Sequence, residues 1–183
     1  MKENDQHINQ LLERCKKGEN SAQMQIYKDY YRAMYNASLR ILKDEFEAED
    51  IMQEAFLTAF TKLDTFKGEV AFGAWLKRIV INKSLTQLKK NNKYRDVKME
   101  VIKDTSIETE DAIDYSLLHA GKVLETLNSL KENYRIVLNL HLIEGYDYEE
   151  ISQILGYTNE NVRTTISRAK RKLKQQLILE TAS

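Results

Sequence analysis

The sequence predicts an all-α protein made of two small helical domains joined by a flexible acidic linker. Three observations predict it. Proline is absent from the 183 residues and glycine occurs only six times. Ordinary usage of about 5% would give roughly nine prolines in a chain of this length. A chain so poor in turn formers is not collagenous and does not build a turn-dense sandwich or barrel. Apolar residues recur at helical spacing over two long stretches. Between these stretches, from Asn91 to about Asp114, periodicity stops and polar residues take over. The expected domains are residues 1–95 and 117–183, with 96–116 as the linker.

Composition narrows the class further. At 42% hydrophobic the chain can fill a core, which separates it from disordered chains. With 31% charged residues, no apolar run approaches the ~18 residues of a membrane span. The start, Met1-Lys2-Glu3-Asn4-Asp5, lacks the apolar segment of a signal peptide. Cys15 is a lone cysteine, so it has no internal disulfide partner and no companion for a zinc site. The expected location is the cytoplasm, with no membrane insertion.

The elements follow in order. Ile8, Leu11, Leu12 and Cys15 fall on one helical face, and Gly18 supplies a stop. A second helix is expected from about Ser21 to Lys43, on Ile26, Tyr27, Tyr30, Met34, Ile41 and Leu42. A third runs from about Glu47 to Leu63, with Ile51, Ala55, Ala59 and Leu63 inward. Asp64–Glu69 loses the period and is expected to be a loop. A fourth helix runs from about Phe72 to Lys90, with Trp75, Leu76, Ile79, Leu85 and Leu88 inward. After the linker, helical spacing resumes at Leu117 and continues to about Leu179.

The last part of that stretch has the wiring of a helix-turn-helix. Asp147 can cap a helix, with Glu150 at the capping-box position three residues on. Ile151, Ile154 and Leu155 give this helix a buried face. Gly156 suits the positive φ of a tight turn, and Thr158 can cap the next helix. Val162, Ile166, Ala169 and Leu173 then form its inward stripe. Arg163, Thr164, Ser167, Arg168 and Arg171 point away from that stripe. Arginine can bridge guanine O6 and N7, and hydroxyls reach several base edges or phosphates. Lys170, Lys172 and Lys174 suit phosphates, which carry no sequence information.

Charge is segregated along the chain. Lys+Arg and Asp+Glu both number 28, a formal net charge of zero. Yet Asp44–Glu54 holds six acids and no base, and Ala74–Lys98 holds eight bases against Asp96 alone. Met99–His119 holds six acids against Lys103, and Asn161–Lys174 holds six bases and no acid. Two separated basic stretches suit a polyanion reader. Asp50, Gln53 and Glu54 share a helix face. That acid–amide–acid patch suits a basic protein partner, or it is a solvated face. Trp75 sits among bases as a base-stacking platform would, although for this residue alone core packing is the favoured account. Enzyme chemistry has no support. His7, His119 and His141 are scattered, and no Gly-rich loop could cradle phosphate. No cofactor, metal or small-molecule substrate is expected.

With both motifs in view, the chain resembles a bacterial RNA polymerase sigma factor of the extracytoplasmic-function (ECF) subfamily. The resemblance covers roughly Gln23–Lys98 and Gly121–Leu177. It rests on Ala48-Glu49-Asp50-Ile51, Gln53-Glu54 and Phe56, on Trp75-Leu76, Arg78-Ile79 and Asn82, and on Leu130–Leu173. It implies a region 2 bundle followed by a region 4 helix-turn-helix. It also implies that the protein binds core RNA polymerase and directs initiation at −10 and −35 promoter elements. By that resemblance, Asp50, Gln53 and Glu54 dock on the β′ clamp helices, and the second domain meets the β flap. Arg78, Asn82, Lys83, Lys89, Lys90 and Trp75 meet the −10 element, and the loop with Phe66 and Lys67 holds a flipped-out base. Thr158, Arg163, Thr164, Ser167, Arg168, Lys170 and Arg171 meet the −35 element. An anti-sigma partner is typical of the family. The chain departs from the family at Thr86, where Asp is common, and at Thr165, where Arg is common. It has Lys131-Glu132-Asn133 where the family often has a proline, a segment that can also start a helix. The other readings are a stand-alone helix-turn-helix regulator of duplex operators and a helical adaptor without a DNA role.

Overall fold

Helices account for every regular element among the described residues, which are 2–94 and 120–181 of this computed structural model. The chain divides into two compact units, Met1–Lys98 and Met99–Ser183. The expected linker 96–116, the bases Arg95 and Lys98 and the expected helix start at Leu117 all lie outside the described residues.

The first unit comprises α1 (Lys2–Lys16), α2 (Asn20–Leu42), α3 (Glu45–Thr61) and α4 (Phe72–Tyr94), with a 3₁₀ turn at Leu63–Thr65. Helices α2, α3 and α4 pack on one another pairwise, and α1 packs on α2. Alanines let them approach: Ala22, Ala37, Ala55 and Ala59 are almost wholly buried beside Ile26, Met34, Met52, Phe56, Leu76 and Val80. Burying each larger apolar side chain contributes roughly 1.5–3 kcal/mol. Cys15 belongs to this core, and burial pushes its thiol above the ordinary value, as suits an inert packing residue. Gly73 brings the start of α4 against α2, because a Cβ there would lie 2.8 Å from Tyr30 Cε1.

The structure differs from the sequence reading at several places in this unit. Helix α3 begins two residues early because Asp44, not a later residue, caps it, its Oδ1 accepting from the Glu47 amide at 2.9 Å. Leu63 is buried as expected but sits in the 3₁₀ turn after the helix. Helix α4 runs on through Asn91, where the polar stretch begins, to Tyr94. Asn91 Nδ2 donates to both carboxylate oxygens of Glu47, at 3.0 and 2.8 Å, and ties the end of α4 to the start of α3. Val80 and Ile81 are fully buried in α4, while Trp75 and Ile79 are only half-buried.

The second unit comprises α5 (Ala120–Ser129), α6 (Glu132–Leu138), α7 (Tyr148–Leu155) and α8 (Asn159–Thr181). Helix α6 continues as a π-helical stretch, Asn139–Ile143. Its core is Leu127, Leu130, Ile136, Val137, Leu138, Leu140, Ile151, Val162, Ile166, Ala169, Leu173 and Leu177. Ile154 and Leu155 are half-buried, so Ile151 anchors α7. Arg135 is buried with them, and burial lowers its guanidinium below the ordinary value while Glu132 opposes the shift. Among the described residues, no helix is long and apolar enough to cross a membrane.

Candidate nucleic-acid interface

In the second unit, local chemistry sets the angle between α7 and α8. Asp147 Oδ1 accepts from the Glu150 amide at 2.8 Å, and Glu150 Oε2 accepts from the Asp147 amide at 2.9 Å, a complete capping box. Gly156 ends α7 at φ 71°, a left-handed value that suits glycine. Ser152 Oγ donates to the Tyr157 carbonyl at 2.6 Å across the turn. Thr158 Oγ1 accepts from the Asn161 amide at 3.2 Å and caps α8. Burial raises the Tyr157 phenol above its ordinary value, and Glu132 adds to the shift.

Helix α8 turns Val162, Ile166, Ala169 and Leu173 inward, as the spacing predicts. Thr158, Arg163, Thr164 and Ser167 are exposed, while Arg168, Lys170 and Arg171 are half-exposed. Thr165 is half-buried, and its Oγ1 donates to Asn161 Oδ1 at 3.1 Å. Two neighbours of Arg163 escaped the sequence reading. Arg163 Nε donates to Asn159 Oδ1 at 3.0 Å, and its Cζ lies 5.0 Å from the centroid of the Tyr148 ring. The same ring stacks on His141, with centroids 5.1 Å apart. The i, i+4 spacing of Asn159 and Arg163 could have revealed the first contact. Tyr148 lies on the other side of a turn, and no local spacing points to it.

In the first unit, Asp50, Gln53 and Glu54 are all exposed on α3. Gln53 Nε2 donates to Glu49 Oε1 at 3.3 Å. Glu54 Oε2 meets Lys83 Nζ at 3.2 Å, so an acidic and a basic candidate residue touch. On α4, Asn82, Lys89 and Lys90 are exposed and Lys77, Arg78 and Lys83 are half-buried. Thr86 is exposed on the face of Asn82, and its Oγ1 donates back to the Asn82 carbonyl at 2.8 Å.

Phe66 and Trp75 lie together, each half-buried, with ring centroids 5.3 Å apart. Phe72 joins them at 5.6 Å from Phe66 and 5.7 Å from Trp75, and Tyr30 packs edge-on to Phe72. Both rings therefore serve packing and stay partly exposed. Lys67 is exposed beside them. Among the described residues, no cluster of His, Cys, Asp or Glu could hold a metal ion.

Residues 26–94 match the Sigma-70 region 2 family and residues 120–173 the Sigma-70, region 4 family. The ECF RNA polymerase sigma factor SigW of Bacillus subtilis is 30% identical over 182 residues, covering 93% of this chain and 96% of that protein. The RNA polymerase sigma-H factor of Pseudomonas aeruginosa is 30% identical over 185 residues, with 92% of each chain covered. Among solved structures, CnrH in complex with the cytosolic domain of CnrY is similar at a TM-score of 0.54 and 25% identity, covering 92% of this chain and 96% of that one. The sigma factor RpoE of Bartonella quintana, in complex with the anti-sigma factor NepR, shares the fold at a TM-score of 0.58 and 24% identity, covering 84% of this chain and 95% of that one.

Proposed function

This chain belongs to the ECF RNA polymerase sigma factors, and on that premise we propose that it binds core RNA polymerase and directs initiation at promoters carrying its −35 and −10 elements. The observation that carries this is the pairing, in one chain and in order, of a region 2 match with a region 4 match. A stand-alone regulator would need only the second, so that alternative is not favoured.

In this reading the protein works as a detachable specificity subunit without catalytic chemistry, in the bacterial cytoplasm where its polymerase works. Asp50, Gln53 and Glu54 form the docking face for the β′ clamp helices. Arg78, Asn82, Lys83, Lys89 and Lys90 neutralise and contact the −10 strand. Phe66, Lys67 and Trp75 line the place where a base is held out of the stack. The outward face of α8, from Thr158 to Arg171, enters the major groove of the −35 element. The similar sigma factor RpoE of Bartonella quintana is bound by the anti-sigma factor NepR, and the same kind of partner is proposed here.

Run-off transcription is the test. Mixing the protein with bacterial core polymerase and genomic fragments should give discrete, protein-dependent start sites. No start sites together with no core binding in a pull-down would overturn the reading.

A further inference from the structure

We infer that Tyr148 is a positioning residue that, with Asn159, holds Arg163 in one pose and thereby sharpens its choice of base. The inference rests on the reading of α8 as the helix that enters duplex DNA. Arginine is long and has many rotamers, and freezing them on binding takes away part of what a base contact contributes. A side chain already held in its bound pose loses less, so its contact discriminates better.

Arg163 is held at two points in the protein alone. Its Nε donates to Asn159 Oδ1 at 3.0 Å, one helical turn back on α8. Its guanidinium carbon lies 5.0 Å from the Tyr148 centroid, inside the ~6 Å over which a cation is drawn to an aromatic face. With Nε engaged, both terminal nitrogens stay available, and a pair of N–H donors is what guanine O6 and N7 require.

The ring is itself fixed. Tyr148 is the first residue of α7, and the capping box of Asp147 and Glu150 sets the backbone there. Its ring stacks on His141 at 5.1 Å and 24°. His141, inside the π-helical stretch, is in turn held by Nδ1 against the carbonyl of Tyr146, which follows that stretch, at 3.1 Å. The chain of contacts thus runs from α6 through α7 to the reading helix, and it ends on one base-reading side chain.

The test uses the full-length chain bound to bacterial core polymerase and a promoter library randomised across its upstream element. The intact complex is expected to select guanine at one position, and Arg163→Ala to erase that selection. Tyr148→Leu should lower the preference at the same position by about threefold to fivefold, the size of an exposed cation–π contact, and leave other positions alone. Tyr148→Phe keeps the ring and should restore the preference. In the Arg163→Ala background, Tyr148→Leu should change nothing further at that position. An even loss at all positions would mark a structural role and overturn the inference, with thermal unfolding as a check on folding. Unchanged selection in Tyr148→Leu, or equal loss in Tyr148→Phe, would overturn it as well while leaving the proposed function intact. If the unaltered complex selects no upstream sequence, the reading of α8 falls together with the inference.

Discussion

At the residue scale, the outward side chains of α8 divide by what each substitution should change. Replacing Lys170 with alanine should weaken DNA binding about evenly across sequences and reduce the salt slope of log K by about one, because a phosphate contact carries no base information. Replacing Arg163 should instead relax one base position by about 1–3 kcal/mol. Binding titrations of polymerase complexes on matched and mismatched promoters, at several salt concentrations, separate the two outcomes. On α3, Asp50→Lys should abolish core binding in a pull-down, because the reversed charge would meet a basic partner surface. The outward placement of the side chains proposed to read or dock was legible because helix periodicity alone decides which residues face outward. Their neighbours were not. Tyr148 reaches Arg163 only because the turn at Gly156 folds one helix over the other. Phe66 and Trp75 showed as aromatics among bases, but their mutual packing depends on Phe72 and Tyr30, on different helices.

At the element scale, stability sits in caps and close approaches. Asp147→Ala removes one half of the capping box at the start of α7 and should cost about 1 kcal/mol, read as a shift in urea midpoint. Buried Ser38 and Ser84 join α2 to α4 with their oxygens 2.9 Å apart. Ser84 also donates to the Val80 carbonyl, so its single proton is used there and Ser38 is the donor in the pair. Ser84→Ala should cost about 1–3 kcal/mol by taking this partner from the buried Ser38 hydroxyl, and Ser38→Ala should cost less because Ser84 keeps its bond to the Val80 carbonyl. The double replacement should cost less than the sum, which a double-mutant cycle measures. Caps of this kind are readable from sequence when both partners lie within one turn, as Asp147 and Glu150 do. The end of α4 was not readable. Asn91 belongs to the helix through Glu47, a partner 44 residues away in sequence, and a local polar run hides that contact.

At the scale of the whole molecule, a net charge of zero describes none of the surfaces that partners meet. The acids at 104, 108, 110, 111 and 114 lie outside the described residues, yet their charge is fixed by the sequence. Neutralising all of them should raise the polymerase-free affinity of the full chain for DNA at low salt, measured by fluorescence anisotropy, as a screening tether requires. Unchanged affinity would count against it. Within the first unit, opposite charges meet directly. Lys83 rests 3.2 Å from a Glu54 oxygen, so a cation that takes the glutamate frees the lysine, and a phosphate that takes the lysine frees the glutamate. Linkage makes such help mutual and equal in both directions. Glu54 is exposed and Lys83 only half-buried, which limits the factor to a few-fold. If Glu54 docks and Lys83 meets the strand as proposed, the two events would favour each other through a single contact, with no movement of the backbone needed to carry the signal.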